Sequence, residues 1–164
     1  MPFKKKLILQ AAFFKPIKSV NLRIMNKNGP VVIIEDDEDD QLMLNEIFKE
    51  LNYKNKILFF KDGNDALAYL NKTEIAPFLI LSDVNMPKIN GFELRNKVYT
   101  DQQLHLKCIP YLFFTTHSTK ESVIDAYNLV VQGFFIKPAS YNKMRSTIQI
   151  IMEYWKECIA PSEY

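Results

Sequence analysis

The chain alternates short apolar runs with longer stretches in which apolar residues recur at helical spacing. Apolar runs of three or four residues, rich in β-branched and aromatic side chains, are typical of strands buried on both faces of a sheet. Five such runs are present, at 31–34, 57–60, 78–81, 111–114 and 134–136. Each is followed by a stretch with helical periodicity, and these stretches predict five helices. The helices begin near residues 38, 66, 92, 120 and 141, and the fourth extends to about 131.

Strands that alternate with helices indicate an α/β fold, with a doubly wound parallel sheet covered by helices on both sides. Because the crossovers in such sheets are right-handed, the carboxyl ends of all strands meet at one edge, where ligands bind. Residues 101–108 are predicted to be a polar connection without a helix. We expect one domain over 29–158, preceded by an N-terminal extension, 1–28, and followed by a short C-terminal tail, 159–164.

The N-terminal extension has two interpretations. Its opening, MPFKKKLILQAAFFKP, resembles a secretory signal, but the apolar part is short, is interrupted by Gln10 and lacks a small-residue cleavage site. We therefore predict no export. Either Met25 is the natural start of the protein, or residues 1–24 form a genuine N-terminal arm, and the sequence leaves both interpretations open.

Composition narrows the class of protein. The chain has 164 residues, 48% of them hydrophobic, and a net charge of +2. These values are typical of an ordinary globular domain, and the charge gives no electrostatic basis for binding nucleic acid or a membrane surface. No apolar run approaches the roughly 20 residues that span a bilayer. Cys108 and Cys158 have neither metal-ligand spacing nor a disulfide framework, so we expect reduced thiols in a cytoplasmic protein.

Polar side chains follow four of the five predicted strands at the ligand-binding edge. Glu35 and Asp36 follow the first strand, Asp83 the third, Thr115 the fourth and Lys137 the fifth. Crowded carboxylates resist ionisation unless a cation joins them, and a cluster of oxygen ligands suits Mg²⁺. The sequence therefore predicts a Mg²⁺ site at this edge of the sheet.

A metal between the carboxylates would leave Asp83 ionised and able to attack phosphorus. Lys137 and Thr115 could then offer a charge and a hydrogen-bond donor to the phosphoryl oxygens. Each residue also has an ordinary interpretation when considered alone. The acidic run 35–40 suits any helix N-terminus, and strand ends often have Asp, Thr or Lys. Their joint placement on four strand ends favours the functional interpretation.

Four motifs in this order, VVIIEDD, LSDVNMPKINGFEL, PYLFFTT and GFFIKP, resemble those of response-regulator receiver domains of two-component signalling. The similarity covers residues 30–157 approximately. It implies a flavodoxin-like fold with strand order 2-1-3-4-5. It also implies Asp83 as the phospho-acceptor, Asp36 as a direct Mg²⁺ ligand and Glu35 as the holder of a metal-bound water. The backbone carbonyl of Asn85 would complete the metal ligands of the protein.

The resemblance also implies a switch. Thr115 and Lys137 match the switch hydroxyl and the active-site lysine of the family, and Phe134 matches its switch aromatic residue. Asn85 and His117 stand two residues beyond the phospho-acceptor and the switch hydroxyl, at positions that flank the path of the hydrolytic water. Both are candidates for tuning the phosphoryl lifetime, although His117 also suits an ordinary loop histidine.

We therefore expect a stand-alone receiver that is no enzyme apart from catalysing its own phosphorylation and dephosphorylation. The phosphoryl donor would be a histidine kinase or a histidine phosphotransfer protein. Few residues follow Trp155, so we expect no effector domain and an output through the surface of helix four, strand five and helix five. The protein target and homodimerisation remain open. The EDDEDD opening and the TT after strand four are similar to receivers paired with phytochrome-type kinases.

Two alternatives come from other classes of protein. A phosphatase of the haloacid-dehalogenase type also uses a strand-end Asp with Mg²⁺, but it needs a second Asp where Asn85 stands, and no cap domain is visible. The other alternative is a phosphorylation-independent interaction module on the receiver fold. The intact set of acidic residues, Thr115 and Lys137 argues against it.

Overall fold

Five strands form one parallel sheet with the order β2-β1-β3-β4-β5. The computed structural model describes residues 25–160. The strands are β1 (Val31–Ile34), β2 (Ile57–Phe60), β3 (Leu79–Ser82), β4 (Tyr111–Thr115) and β5 (Gly133–Ile136). The helices are α1 (Glu38–Leu51), α2 (Gly63–Lys72), α3 (Gly91–Thr100), α4 (Gln102–Leu106), α5 (Lys120–Asn128) and α6 (Tyr141–Glu157). The structure thus confirms the predicted flavodoxin-like α/β fold and strand order.

The helix count expected from the sequence was wrong. Six helices occur in 25–160, and the extra one, α4, lies in the segment predicted to be a polar connection. Asp101 explains it, because its side chain accepts hydrogen bonds from the backbone N–H groups of Gln103 and Leu104 and so begins a new helix. The predicted fourth and fifth helices are therefore α5 and α6. The first of these ends at Asn128, earlier than expected, since Val130 adopts a left-handed backbone with φ 55°.

The three central strands, β1, β3 and β4, are buried on both faces, as their continuous apolar runs predict, whereas the edge strands β2 and β5 are partly exposed. Alternate residues of β1 enter different cores: Val32 and Ile34 pack with residues of α2 and α3, whereas Val31 and Ile33 pack with residues of α1 and α6. The sheet is thus held rigidly between two helical layers, and its carboxyl edge is a fixed platform for the polar residues that follow the strands.

The described segment begins close against the domain. Met25 is buried, and its backbone N–H donates to the carbonyl of Lys107 at 2.7 Å. The predicted extension up to residue 24 and the tail from 161 to 164 lie outside the described residues. Within 25–160, no helix combines the length and the apolar character needed to cross a membrane.

Candidate functional site

Asp83 stands at the carboxyl end of β3 and is 7% exposed. Its backbone N–H continues the sheet by donating to the carbonyl of Ile34 at 2.9 Å. One carboxylate oxygen, Oδ1, accepts from the backbone N–H groups of Val84 at 2.5 Å and Asn85 at 3.2 Å. These bonds hold the carboxylate in one orientation, with its second oxygen, Oδ2, towards the neighbouring strand ends.

Glu35 and Asp36, which follow β1, lie beside Asp83. The three carboxylates each offer an oxygen, and these oxygens lie within 4.8 Å of one another. Glu35 is almost fully buried, and Asp36 is more exposed. The structure therefore brings together the three acidic residues that the sequence predicts for the metal site.

Lys137, which follows β5, reaches into this cluster. Its backbone N–H donates to the carbonyl of Thr115 at 2.8 Å, which ties the ends of β4 and β5 together. Its ammonium donates to Glu35, to Oδ2 of Asp83 at 3.2 Å and to Oδ2 of Asp40 at 2.7 Å. An ammonium has three N–H bonds, so these three carboxylates use every donor.

Asp40 was not among the residues singled out from the sequence. It lies in the first turn of α1, within a run of acidic residues that all suit a helix N-terminus. Asp40 and Lys137 are 97 residues apart in the sequence, so the sequence does not indicate that their side chains are in contact. The position of Asp40, three residues after the N-cap Asp37, could have indicated the contact. Side chains in a helix point towards its N-terminus, and here that end faces the strand ends.

Burial and charge alter the protonation of the site. Burial raises the pKa of the Glu35 carboxyl to about 7, although Lys137 opposes this shift, and the charge of Asp83 adds to it. Burial alone would lower the pKa of Lys137, but its hydrogen bonds to Asp40 and Glu35 outweigh that effect and raise it. The ammonium is therefore held charged among carboxylates that repel one another.

Thr115 and Phe134, the predicted switch residues, lie on adjoining strands. Thr115 is fully buried, and its hydroxyl has no hydrogen-bond partner among the described residues. The ring of Phe134 is half-buried and stands edge-on to Phe113, with 5.9 Å between the ring centroids. The hydroxyl is thus free to take a new partner, and the aromatic ring lies at the boundary between core and surface.

Asn85 and His117, the predicted lifetime-tuning residues, are both exposed. The backbone of Asn85 is fixed next to Asp83 by its hydrogen bond to the carboxylate. His117 instead pairs with its neighbour, with 3.0 Å between its Nδ1 and the Thr116 hydroxyl oxygen. The hydrogen bonds of the described residues therefore join Asn85, but not His117, to the acidic cluster.

The loop between β3 and α3 packs closely over Asp83. The N–H of Gly91 donates to the carbonyl of Val84 at 2.9 Å, and a Cβ at Gly91 would lie 2.3 Å from the carbonyl oxygen of Asp83. Lys88 has a left-handed backbone, with φ 66°, and its ammonium pairs with Asp62 at the start of α2. Sequence reasoning found the turn but not this ion pair, which depends on the direction of a loop side chain.

The donor set suits a small, hard divalent cation. Glu35, Asp36 and Asp83 offer only oxygen atoms, and the backbone of Asn85 lies beside them. A single ammonium compensates several crowded carboxylates, so a further positive charge would relieve their repulsion. The geometry and the chemistry of these residues thus fit Mg²⁺ or Mn²⁺.

Comparison with known proteins identifies the family of this chain. The family model for the response regulator receiver domain matches residues 31–149. The response regulator Rcp1 of Synechocystis is 28% identical over 134 residues, which cover 79% of this chain and 90% of Rcp1.

Two solved structures are similar along nearly their whole length. One is the phosphorylated cyanobacterial phytochrome response regulator RcpA, with 27% identity and a TM-score of 0.71 over 80% of this chain and 97% of that one. The other is the Mn²⁺-bound form of Rcp1, with 27% identity and a TM-score of 0.69 over 79% of this chain and 95% of that one. The fold, the strand-end residues and the family match together show that this chain belongs to the response regulator receiver domain family of two-component signalling.

Proposed function

We propose that this protein is a single-domain response regulator that is phosphorylated on Asp83 by a histidine kinase or a histidine phosphotransfer protein. The main support is the convergence of Glu35, Asp36, Asp83 and Lys137 at the carboxyl edge of the sheet. Asp83 has the geometry of a nucleophile, since two backbone N–H groups orient its carboxylate.

In the proposed transfer, a carboxylate oxygen of Asp83 attacks the phosphorus of a phosphohistidine on the donor. The new P–O bond forms as the P–N bond breaks, and the histidine leaves with the electron pair and takes up a proton. Asp36, Asp83, the carbonyl of Asn85 and, through a water molecule, Glu35 would hold Mg²⁺. When bound, that ion would supply positive charge to neutralise the phosphoryl group.

The remaining residues act on the phosphorylated carboxylate. Lys137 already contacts Oδ2 of Asp83, so its ammonium is placed to donate to the phosphoryl oxygens. The buried hydroxyl of Thr115 lacks a partner among the described residues, and a phosphoryl oxygen would supply one. An inward Thr115 vacates space that Phe134 fills, and this shifts the population towards the signalling conformation. Asn85 and His117 then flank the path of the water that hydrolyses the acyl phosphate.

The proposed output is a phosphorylation-dependent protein contact through α5, β5 and α6. Large apolar side chains are exposed on these elements, at Ile124, Tyr127, Ile136, Ile150 and Tyr154. Where such side chains form one contiguous patch, they are typical of surfaces that bind other proteins. The similarity to RcpA, a phytochrome response regulator, supports a phytochrome-type kinase as the first donor to test.

Phosphotransfer from a radiolabelled kinase tests this proposal. A phytochrome-type histidine kinase carrying ³²P should lose its label to this protein within minutes, and Asp83→Asn should take up none. If the wild-type protein takes up no label from any histidine kinase or phosphotransfer protein tested, the proposed class of donor is contradicted. If the wild-type protein and Asp83→Asn bound the output partner equally well with and without donor, the phosphorylation-independent module would be the correct interpretation.

A further inference from the structure

Asp40 stands outside the acidic cluster but holds the lysine of the site. Its Oδ2 accepts from the ammonium of Lys137 at 2.7 Å, whereas the oxygens grouped for a cation belong to Glu35, Asp36 and Asp83. The side chain of Asp40 is 24% exposed and that of Lys137 only 3%. Asp40 is itself fixed, because its backbone N–H donates to the N-cap carboxylate of Asp37 at 3.0 Å.

The three contacts of the Lys137 ammonium differ in what phosphorylation does to them. Glu35 and Asp83 are drawn into holding the cation and the phosphoryl group, so their contacts with the ammonium must be redistributed. Asp40 belongs to neither role and remains attached to α1 throughout. It is therefore the one of the three ammonium partners in the described residues whose contact can persist in both states.

We propose that Asp40 is a positioning residue that holds the Lys137 ammonium towards the phosphoryl group on Asp83. This inference rests on the proposed function. Without Asp40, the flexible side chain of Lys137 would contact Glu35 alone or turn away from the site. Fewer molecules would then have the ammonium next to Asp83 when the phosphoryl group is transferred. Asp40→Asn keeps the shape of the side chain and removes its charge, so it tests the ion pair directly.

General electrostatics offers a competing explanation, because any carboxylate near the site repels an anionic phosphoryl donor. Asp39 is the matched control. It is exposed and belongs to the same helical turn, and its side chain makes no hydrogen bond or ion pair within the described part of the chain. A change found in Asp40→Asn but not in Asp39→Asn therefore reports the contact with Lys137 and not the loss of a negative charge.

The first test measures phosphorylation rates with acetyl phosphate and Mg²⁺ in the full-length protein. Asp40→Asn should react about tenfold more slowly than Asp39→Asn, by analogy with the lower end of the effect for residues that orient metal ligands. In a Lys137→Gln background, Asp40→Asn should add almost nothing, because both substitutions disable the same ammonium. Equal rates in Asp40→Asn and Asp39→Asn, or additive effects with Lys137→Gln, would overturn the proposal.

The second test needs neither metal nor phosphoryl donor. In the ¹H–¹⁵N spectrum of the protein with labelled lysine, a fully hydrogen-bonded ammonium exchanges slowly enough with water to be observed, and Lys137→Gln identifies its signal. That signal should broaden beyond detection in Asp40→Asn and persist in Asp39→Asn. If it persists in both, Asp40 does not position Lys137. If wild-type protein gains no phosphoryl group, the proposed function fails, but this spectrum still decides whether Asp40 fixes the ammonium.

Discussion

The hydroxyl of Thr115 is buried at the end of β4 without a hydrogen-bond partner among the described residues. Burying a hydroxyl without a partner costs about 1–3 kcal/mol. Thr115→Val replaces it with a methyl group of similar size and removes that cost. We expect the variant to raise the free energy of unfolding of the unphosphorylated protein by about 1 kcal/mol in urea denaturation.

The same variant should lose the response to phosphorylation, because valine cannot donate to a phosphoryl oxygen. Thr115→Ser is the control, since it keeps the hydroxyl. A decrease in stability of Thr115→Val at least as large as that of Thr115→Ser would show that the hydroxyl has a partner in the resting state and would contradict this prediction.

Some site residues could be predicted from the sequence and others could not. Glu35, Asp83 and Lys137 each follow an apolar run directly or within one residue, so strand topology alone places them on one edge. Asp40 could not be found in this way, because it is one of several acidic residues in a helical turn and only the direction of its side chain sets it apart. The pairing of Lys88 with a loop carboxylate depends in the same way on side-chain direction.

The loop between β3 and α3 depends on glycine at its helical end. A Cβ at Gly91 would lie 2.3 Å from the carbonyl oxygen of Asp83 and 2.9 Å from the Cα of Val84, and both are backbone atoms that cannot move aside alone. Gly91→Ala should therefore destabilise the protein by about 2 kcal/mol or more. It should also slow phosphorylation, since the displaced carbonyl belongs to Asp83, the proposed phospho-acceptor.

Gly63→Ala is the matched control, because Gly63 is also the first residue of a helix. There the nearest atoms are in the side chains of Ile89, at 3.0 Å, and Leu94, at 3.3 Å, which can adjust. Thermal unfolding measures the loss of stability in each variant, and Gly91→Ala should lose more than Gly63→Ala. Equal loss of stability would show that the close approach to Asp83 is not the cause.

Helix α4 depends on its cap. Asp101 accepts hydrogen bonds from Gln103 at 2.9 Å and Leu104 at 3.0 Å, and Leu104 is the buried residue of this helix. Asp101→Ala should lower the free energy of unfolding by about 1 kcal/mol, the usual cost of losing an N-cap. Asp101→Asn, which can still accept these bonds, should cost much less in the same denaturation experiment. A loss as large as that of Asp101→Ala would contradict the capping role.

The longer helices and the strands could be predicted because their hydrophobic patterns are regular. Helix α4 could not, because it is too short to show such a pattern. Its five residues have one buried apolar side chain, which is too little for a helical period to be visible. The end of α5 was also missed, since apolar residues continue through Val131 while the backbone turns at Val130. A hydrophobic pattern shows which residues are buried but not where the backbone leaves the helix.

The whole molecule joins a rigid polar edge to an exposed apolar face. The sheet connects them: at the polar edge, Thr115 is the last residue of β4 and Lys137 follows β5 directly. Ile136, on the exposed face, is the last residue of β5. In the proposed mechanism, a change at Asp83 would therefore reach the partner surface through residues that are neighbours in the sheet. The strand order that creates this arrangement was predicted from the resemblance to receiver domains, because the alternation of strands and helices by itself indicates only a parallel sheet.

The most direct test of phosphorylation on Asp83 is the intact mass of the protein after incubation with acetyl phosphate and Mg²⁺. We predict a gain of one phosphoryl group, about 80 Da, that disappears in Asp83→Asn and when EDTA removes the metal. Beryllofluoride, which mimics the acyl phosphate, should bind even if hydrolysis is rapid. A protein that binds Mg²⁺ but gains no mass and binds no beryllofluoride, or an adduct that persists in Asp83→Asn, would contradict phosphorylation on this residue.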